Sequence, residues 1–108
     1  MKDDKVLLGH IQDAIERIET YVVAGYEAFS TNLMMQDAVI RNFEVIGEAV
    51  KGLSQDLKDR HSGIPWKQIA GMRDFLIHVY FGVKLETIWQ TIQRDLPPLK
   101  EGVKRELS

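Results

Sequence analysis

Cysteine is absent from the 108-residue chain. Its absence removes disulfide scaffolds, thiolate nucleophiles and cysteine-ligated zinc or iron–sulfur centres together, and leaves His and carboxylates as the side chains suited to a metal. Proline is scarce, at three, and no stretch approaches the ~18 apolar residues of a membrane-spanning helix. Charges interrupt the opening MKDDKVLLGHIQDAIERIE too often for the apolar core of a signal peptide, so a cytoplasmic protein without a membrane partner is expected. Positive charge is not in excess, since 14 Lys plus Arg stand against 16 Asp plus Glu for a formal charge of -2. The chain lacks the broad basic field of general nucleic-acid binders, and any nucleic-acid chemistry has to be local.

What the chain does have is 44% apolar residues, enough for one domain over 1–108 and too little for two. A domain of this size buries roughly two-thirds of the surface its unfolded chain would expose, which leaves room for a partner subunit to cover more. From Asp4 to about Val23, Leu7, Leu8, Ile11, Ile15, Ile18 and Val22 recur at the three- and four-residue steps of an amphipathic helix, with Asp13, Glu16, Arg17 and Thr20 opposite. Gly25 is a stop signal, Tyr26 to Ser30 is short and ambiguous, and Thr31 or Asn32 caps a second long helix reaching about Leu53. That helix has a broad apolar arc of Leu33, Ile40, Phe43, Ile46 and Val50, widened by Met34, Ala38, Val45 and Ala49, which predicts two packing partners, one of which could be another chain.

The SQDLKDRHSG stretch reads as a polar connection with room for one turn of helix, and Pro65 is placed for the first turn of a helix over Trp66 to Tyr80. Gly71 inside that helix marks an expected close approach to a neighbour, and Gly82 is its expected end. A further helix runs from about Lys84 to Arg94, and Pro97 and Pro98 are expected to break or kink it before a last, mostly polar helix over Leu99 to Leu107. No alternation of period two is sustained, so the class is all-α, an antiparallel bundle of four to five helices.

Chemistry concentrates in Met72-Arg73-Asp74-Phe75-Leu76-Ile77-His78-Val79-Tyr80-Phe81. At about 100° per residue, Met72, Phe75, Leu76 and Val79 form one arc, expected to face the core. Arg73, Ile77 and Tyr80 lie on the other side, flanked by Asp74 and His78 four residues apart. His78 can move a proton near neutral pH, and Arg73 is a permanently charged fork that fits a phosphate. Asp74 is placed to orient the imidazole or to hold Arg73. Taken alone, the commoner arrangement of such residues is a surface ion pair for Arg73 and Asp74 and a partly buried, hydrogen-bonded His78.

The segment RDFLIHVY, together with RNFEVIGEAV and IPWKQIAGM upstream and LETIWQTIQRDLPPL downstream, resembles the HEPN superfamily and within it the HepT-like toxins, over most of the chain. The resemblance implies a dimeric helical bundle acting as a metal-independent endoribonuclease, with an R-x4-H-x-Y motif at a shared cleft. In it His78 is the general acid or base at the ribose 2′-hydroxyl or the leaving oxygen, Arg73 stabilises charge on the phosphate, and Asp74 positions them. A two-fold axis supplies a second His for the second proton transfer. The resemblance further implies neutralisation by a cognate MntA-like nucleotidyltransferase antitoxin that adenylylates Tyr80, the arrangement of a type VII toxin–antitoxin system. The RNA substrate, transfer or messenger RNA, stays open, and no cofactor is implied.

Other polar residues read more blandly. Asp37, Arg41, Glu44 and Glu48 are spaced to satisfy one another along one helix. His10 and His61 fit no ligand spacing with His78 and are expected to be solvated or at an edge, so no metal site is expected. Trp66 and Trp89 fall on apolar faces and are assigned to packing, and Lys67, Lys84, Lys100, Lys104 and Arg105 to solvated surface. The alternative to a nuclease is a non-catalytic helical subunit that docks on a nucleotidyltransferase and presents substrate. A purely interacting dimeric module is a third.

Overall fold

The computed structural model describes residues 3–80 and 84–108, with the side chains of Arg73 and of residues 76–80 outside that description. Gly82, the expected helix stop, also lies outside the described residues. Among the described residues there are six helices and no strand: α1 (Asp4–Val22), α2 (Tyr26–Ser30), α3 (Leu33–Gly52), α4 (Gln55–Arg60), α5 (Trp66–Tyr80) and α6 (Leu85–Leu107). The all-α class holds. The count exceeds the expected four to five because the turns allowed at Tyr26–Ser30 and in SQDLKDRHSG both form as helices, while the two helices expected after Lys84 are one.

Local chemistry explains the boundaries. The Asp3 carboxylate accepts from the Lys5 N–H at 2.9 Å and starts α1, filling one of the donors a helix N-terminus leaves open. The chain turns at Gly25, whose φ of 95° is a conformation that a side chain would penalise. Asn32 caps α3 by accepting from the Met35 N–H at 3.0 Å, and Ser54 does the same for α4 through the Leu57 N–H. Pro65 stands immediately before α5, and its carbonyl accepts from the Ile69 N–H at 3.0 Å.

Helix α3 is the centre of the bundle, packing against α1 on one side and α5 on the other, while α1 also packs on α6. Both partners of its broad apolar arc therefore belong to the same chain. Ser54 donates through its N–H and its hydroxyl to the two oxygens of Asp4 at 2.9 and 2.6 Å, so the end of α3 lies beside the start of α1 and the two run antiparallel. Lys100 reaches Glu19 at 2.9 Å, while Gln12 and Ile15 lie beside Val103, which makes α1 and α6 antiparallel as well. The core holds Leu8, Ile11, Ile15, Ile18, Phe29, Phe43, Ile46, Leu57, Ile69, Ile88 and Leu99, all essentially without solvent contact. Burial of such side chains contributes about 1.5–3 kcal/mol each and is the main term holding the bundle.

Several expectations fail. Leu33 and Met34 are 64% and 83% exposed, because they stand in the first turn of α3, at the end of the bundle where α1 has already stopped. Phe75, expected in the core, is 49% exposed, although Met72 one turn earlier is buried. Among the described residues a Cβ at Gly71 would meet nothing within 4 Å, whereas one at Gly102 would lie 2.5 Å from Ile64 Cδ1. The close approach is thus made by α6 against the α4–α5 connection.

The largest correction concerns the prolines, which do not divide α6: it is continuous from Leu85 to Leu107 with Pro97 and Pro98 inside it. Both are exposed, so the carbonyls deprived of a donor, those of Gln93 and Arg94, are on residues that water can reach. Ile88, Ile92, Leu96, Leu99 and Val103 are buried on both sides of the prolines. A proline in a helix interior costs about 3 kcal/mol, and the shared burial of five apolar side chains exceeds that for the pair.

Candidate functional site

Helix α5 begins where the indole of Trp66 is held. Its Nε1 donates to the carbonyls of Lys58 at 3.1 Å and His61 at 3.0 Å, tying the first residue of α5 to the end of α4. The ring is 9% exposed, in keeping with its assignment to packing. Trp89 likewise packs, edge-on to Tyr26 at 5.5 Å and tilted to Phe29 at 5.6 Å between ring centres. Burial and the neighbouring Glu86 carboxylate raise the Tyr26 phenol above its ordinary pKa.

From Trp66 the helix runs without interruption to Tyr80. The unbroken backbone sets the register of the expected motif. Arg73, Ile77 and Tyr80 fall at i, i+4 and i+7, and Asp74 and His78 at i and i+4, neighbours on a helix surface. Asp74 is exposed. The side chains of Arg73, His78 and Tyr80 lie outside the described residues, so the structure gives the order and register of the motif and not its contacts.

Of the grooves along the long helices, two bear on the polar residues singled out above. Between α1 and α3, Leu7, His10, Arg41, Glu44, Val45, Glu48 and Ala49 line one of about 430 Å³. Arg41, Glu44 and Glu48 of the polar strip on α3 stand along this groove, and Glu48 pairs with Lys51 at 3.5 Å. Between α5 and α6, Gln68, Gly71, Met72, Phe75, Thr91, Arg94 and Asp95 line another of about 540 Å³. Here Arg94 Nε donates to Asp95 Oδ1 at 3.0 Å and its second nitrogen to Oδ2 at 3.3 Å. The carboxylate holds the guanidinium pKa above its usual value. Sequence reading missed this pair because a helix expected to end at Arg94 leaves Asp95 in a connection. In a continuous α6, Asp95 falls on the Ile88–Ile92–Leu99 face.

His61 departs from its expected place. Its Nε2 lies 2.6 Å from Glu106 Oε2, and Arg60 donates to the same carboxylate at 2.7 Å. Hydrogen bonding from Arg60, and then from His61, holds the Glu106 carboxyl at about 2, well below the usual carboxylate range. The cluster clamps the last turn of α6 onto the α4–α5 connection. His10 is exposed as expected, as are Lys67, Lys84, Lys100, Lys104 and Arg105. No helix among the described residues is long and apolar enough to cross a membrane.

Residues 11–106 match the family model described as Ribonuclease HepT-like. The chain belongs to this HepT-like family. Family membership extends over all of α2 to α5 and most of α1 and α6, so the motif helix and the α5/α6 groove lie within it. A relative from Caldanaerobacter subterraneus, described as "Putative RNase TTE0752", is 44% identical over 108 residues, covering 99% of this chain and 96% of its own. The "Probable ribonuclease HepT" of Thermococcus cleftensis is 44% identical over 100 residues, 92% of this chain and 91% of its own. A Methanocaldococcus jannaschii protein described as "Gamma-glutamylcyclotransferase and putative RNase MJ0434" is 47% identical over 103 residues, and the chain spans 46% of that longer protein. No solved structure matches significantly.

Proposed function

We propose that this HepT-like chain is a metal-independent endoribonuclease, the toxin of a type VII toxin–antitoxin pair, working in the cytoplasm as a homodimer of single helical domains. The observation that carries the reading is the sequence Arg73-x4-His78-x-Tyr80 in one helical register on an uninterrupted α5, inside the region matched by the ribonuclease family. The relatives' descriptions as ribonucleases support the same reaction class.

The chemistry needs a base, an acid and charge stabilisation. One His78 takes the proton of a ribose 2′-hydroxyl as its oxygen attacks the adjacent phosphorus, and the His78 of a second copy gives a proton to the departing 5′-oxygen. The products are a 2′,3′-cyclic phosphate and a 5′-hydroxyl, so the atoms balance without a metal or added water. Arg73 stabilises the charge that builds on the non-bridging oxygens, and Asp74, one turn from His78, fixes the imidazole. Tyr80 is the acceptor for AMP from an MntA-like nucleotidyltransferase antitoxin. AMP at that position adds bulk and negative charge on the Arg73 side of the helix, which repels RNA.

The deciding experiment is cleavage of total and transfer RNA in EDTA by the native chain, His78→Ala and Arg73→Ala. Native-only cutting that leaves cyclic phosphate ends supports the reading. A folded, unmodified native chain that cuts nothing favours a non-catalytic subunit docked on a nucleotidyltransferase, and equal cutting by all three points to a contaminant.

A further inference from the structure

Helix α6 carries a charge where its register calls for an apolar side chain. Ile88, Ile92, Leu96 and Leu99 bury one face, and Asp95 lies on that face at 5% exposure. A buried carboxylate is costly unless it is paired. Its partner is the preceding residue, Arg94, bound through two nitrogens while its own side chain remains 70% exposed. As a stabilising device this is poor, because the acid loses its water and the base keeps its own. What the pairing does accomplish is orientation: the guanidinium is held at the rim of the α5/α6 groove, with the rest of its N–H donors left for another acceptor. A fork already fixed loses less freedom when it binds.

The α5 wall of this groove presents the half-exposed Phe75, with the buried Met72 behind it. An aromatic platform and a preorganised guanidinium lining one groove are the two elements that hold an unpaired nucleotide, one for the base and one for the phosphate. A purely apolar partner would strip water from Arg94 and return nothing, whereas a phosphate replaces that water with a charge-assisted bond. The register adds location: Phe75 stands about 60° around the helix from position 78 and away from the Arg73 side, so the groove adjoins the motif at its His78 edge.

We propose that the α5/α6 groove is a nucleotide subsite, in which Phe75 stacks an unpaired base beside the scissile phosphate and Arg94, pinned by Asp95, holds the adjoining phosphate. This deepens the ribonuclease reading and rests on it for the identity of the strand. The subsite selects single-stranded segments, because a base inside a duplex cannot stack on a side chain.

Binding is read with a short 2′-O-methyl RNA, which has no free 2′-hydroxyl to attack, so affinity is measured whether or not the chain cuts. Phe75→Leu is expected to weaken binding roughly ten-fold, and Phe75→Trp to retain it. Arg94→Gln is expected to lower the slope of log affinity against log salt by about 0.7, the share of one single-strand phosphate contact. Asp95→Asn separates orientation from bulk charge. Removing an acid should tighten RNA binding if only net charge matters, whereas loss of the pinned fork weakens it. Arg94→Lys, which keeps the charge and the fold of an exposed position, is expected to weaken binding several-fold for the same reason. Unchanged affinity in Phe75→Leu and Arg94→Gln overturns the subsite, and so does a change of oligomeric mass in Phe75→Leu at unchanged affinity, which would make the groove a protein contact. Native protein that binds the oligonucleotide through these residues but leaves unmodified RNA intact overturns the ribonuclease reading and supports the subsite as a binding site.

Discussion

Glu106, in the last turn of α6, lies 2.6 Å from the Nε2 of His61 in the α4–α5 connection and accepts a second bond from Arg60. It fastens the C-terminal turn to the segment that launches the motif helix, and its carboxyl is held at about 2 against an ordinary 4.5. A folded-state pKa below the unfolded value means stability that is complete above about 4.5 and is lost as pH falls toward 2. Arg60 is exposed, which screens the pair, so the expected contribution is about 1 kcal/mol. Urea unfolding of the native chain and Glu106→Gln should differ by that amount at pH 7 and converge toward pH 2. A constant difference across that range would show that the clamp is not electrostatic.

Continuity of α6 makes a second expectation. Replacing Pro97 and Pro98 together by Ala restores donors for the Gln93 and Arg94 carbonyls and relieves the clash with the preceding turn. The double variant should be more stable by about 3 kcal/mol or more, partly offset by the greater freedom of its unfolded chain. Thermal unfolding checks this. A lower midpoint would mean that the prolines shape a bend the packing requires.

Gly71 is exposed in mid-helix, and an added Cβ meets nothing within 4 Å among the described residues. Gly71→Ala should therefore stabilise α5 by about 1 kcal/mol, raising the melting midpoint by about 4–8 °C in a domain near this size. Because Gly71 also lines the α5/α6 groove, a more stable variant with weaker oligonucleotide binding would show that the strand passes close to its backbone.

Tyr80→Phe keeps the ring and removes the oxygen that AMP would join. Native-like RNA cutting is expected, together with complete loss of adenylylation by the cognate nucleotidyltransferase in mass spectrometry, and toxicity that the antitoxin no longer relieves. Adenylylation persisting in this variant would place the modification on another residue.

The helices α1 and α3 were legible because their burial follows a period of about 3.6 residues, which linear order displays directly, and the extent of α5 was legible from Pro65 and the apolar spacing that follows it. Ile11, Ile15 and Ile18 on α1 and Phe43, Ile46 and Val50 on α3 are buried as their spacing predicts. The cap of α3 was legible for a similar reason, since Asn32 acts on its own next turn, while the caps Asp3 and Ser54 were not read from the sequence. The candidate motif was legible as a pattern of residue types on one helix and as a resemblance between whole segments, which the family match across residues 11–106 supports.

What linear order could not display was competition between distant parts. Pro97 and Pro98 are helix breakers by local rule, and only the burial of Ile88 and Ile92 before them and Leu99 and Val103 after them makes one helix the lower-energy choice. Leu33, Met34 and Phe75 have core residue types at helical spacing, yet exposure depends on which element arrives to cover them. His61 looked like an isolated polar residue because Glu106, its partner, is 45 positions away.

The sequence alone therefore determined the helical class, the helices α1, α3 and α5 with the Asn32 cap, and the register that sets Arg73, Asp74, His78 and Tyr80 along α5, since all of these follow from local steric preference and a fixed residue rise. The tertiary structure decided that α6 passes through its prolines, that Asp95 is buried with Arg94 held at a groove, and that Glu106 closes on His61. Each of those outcomes rests on burial and charge pairing between segments that meet only once the chain has folded.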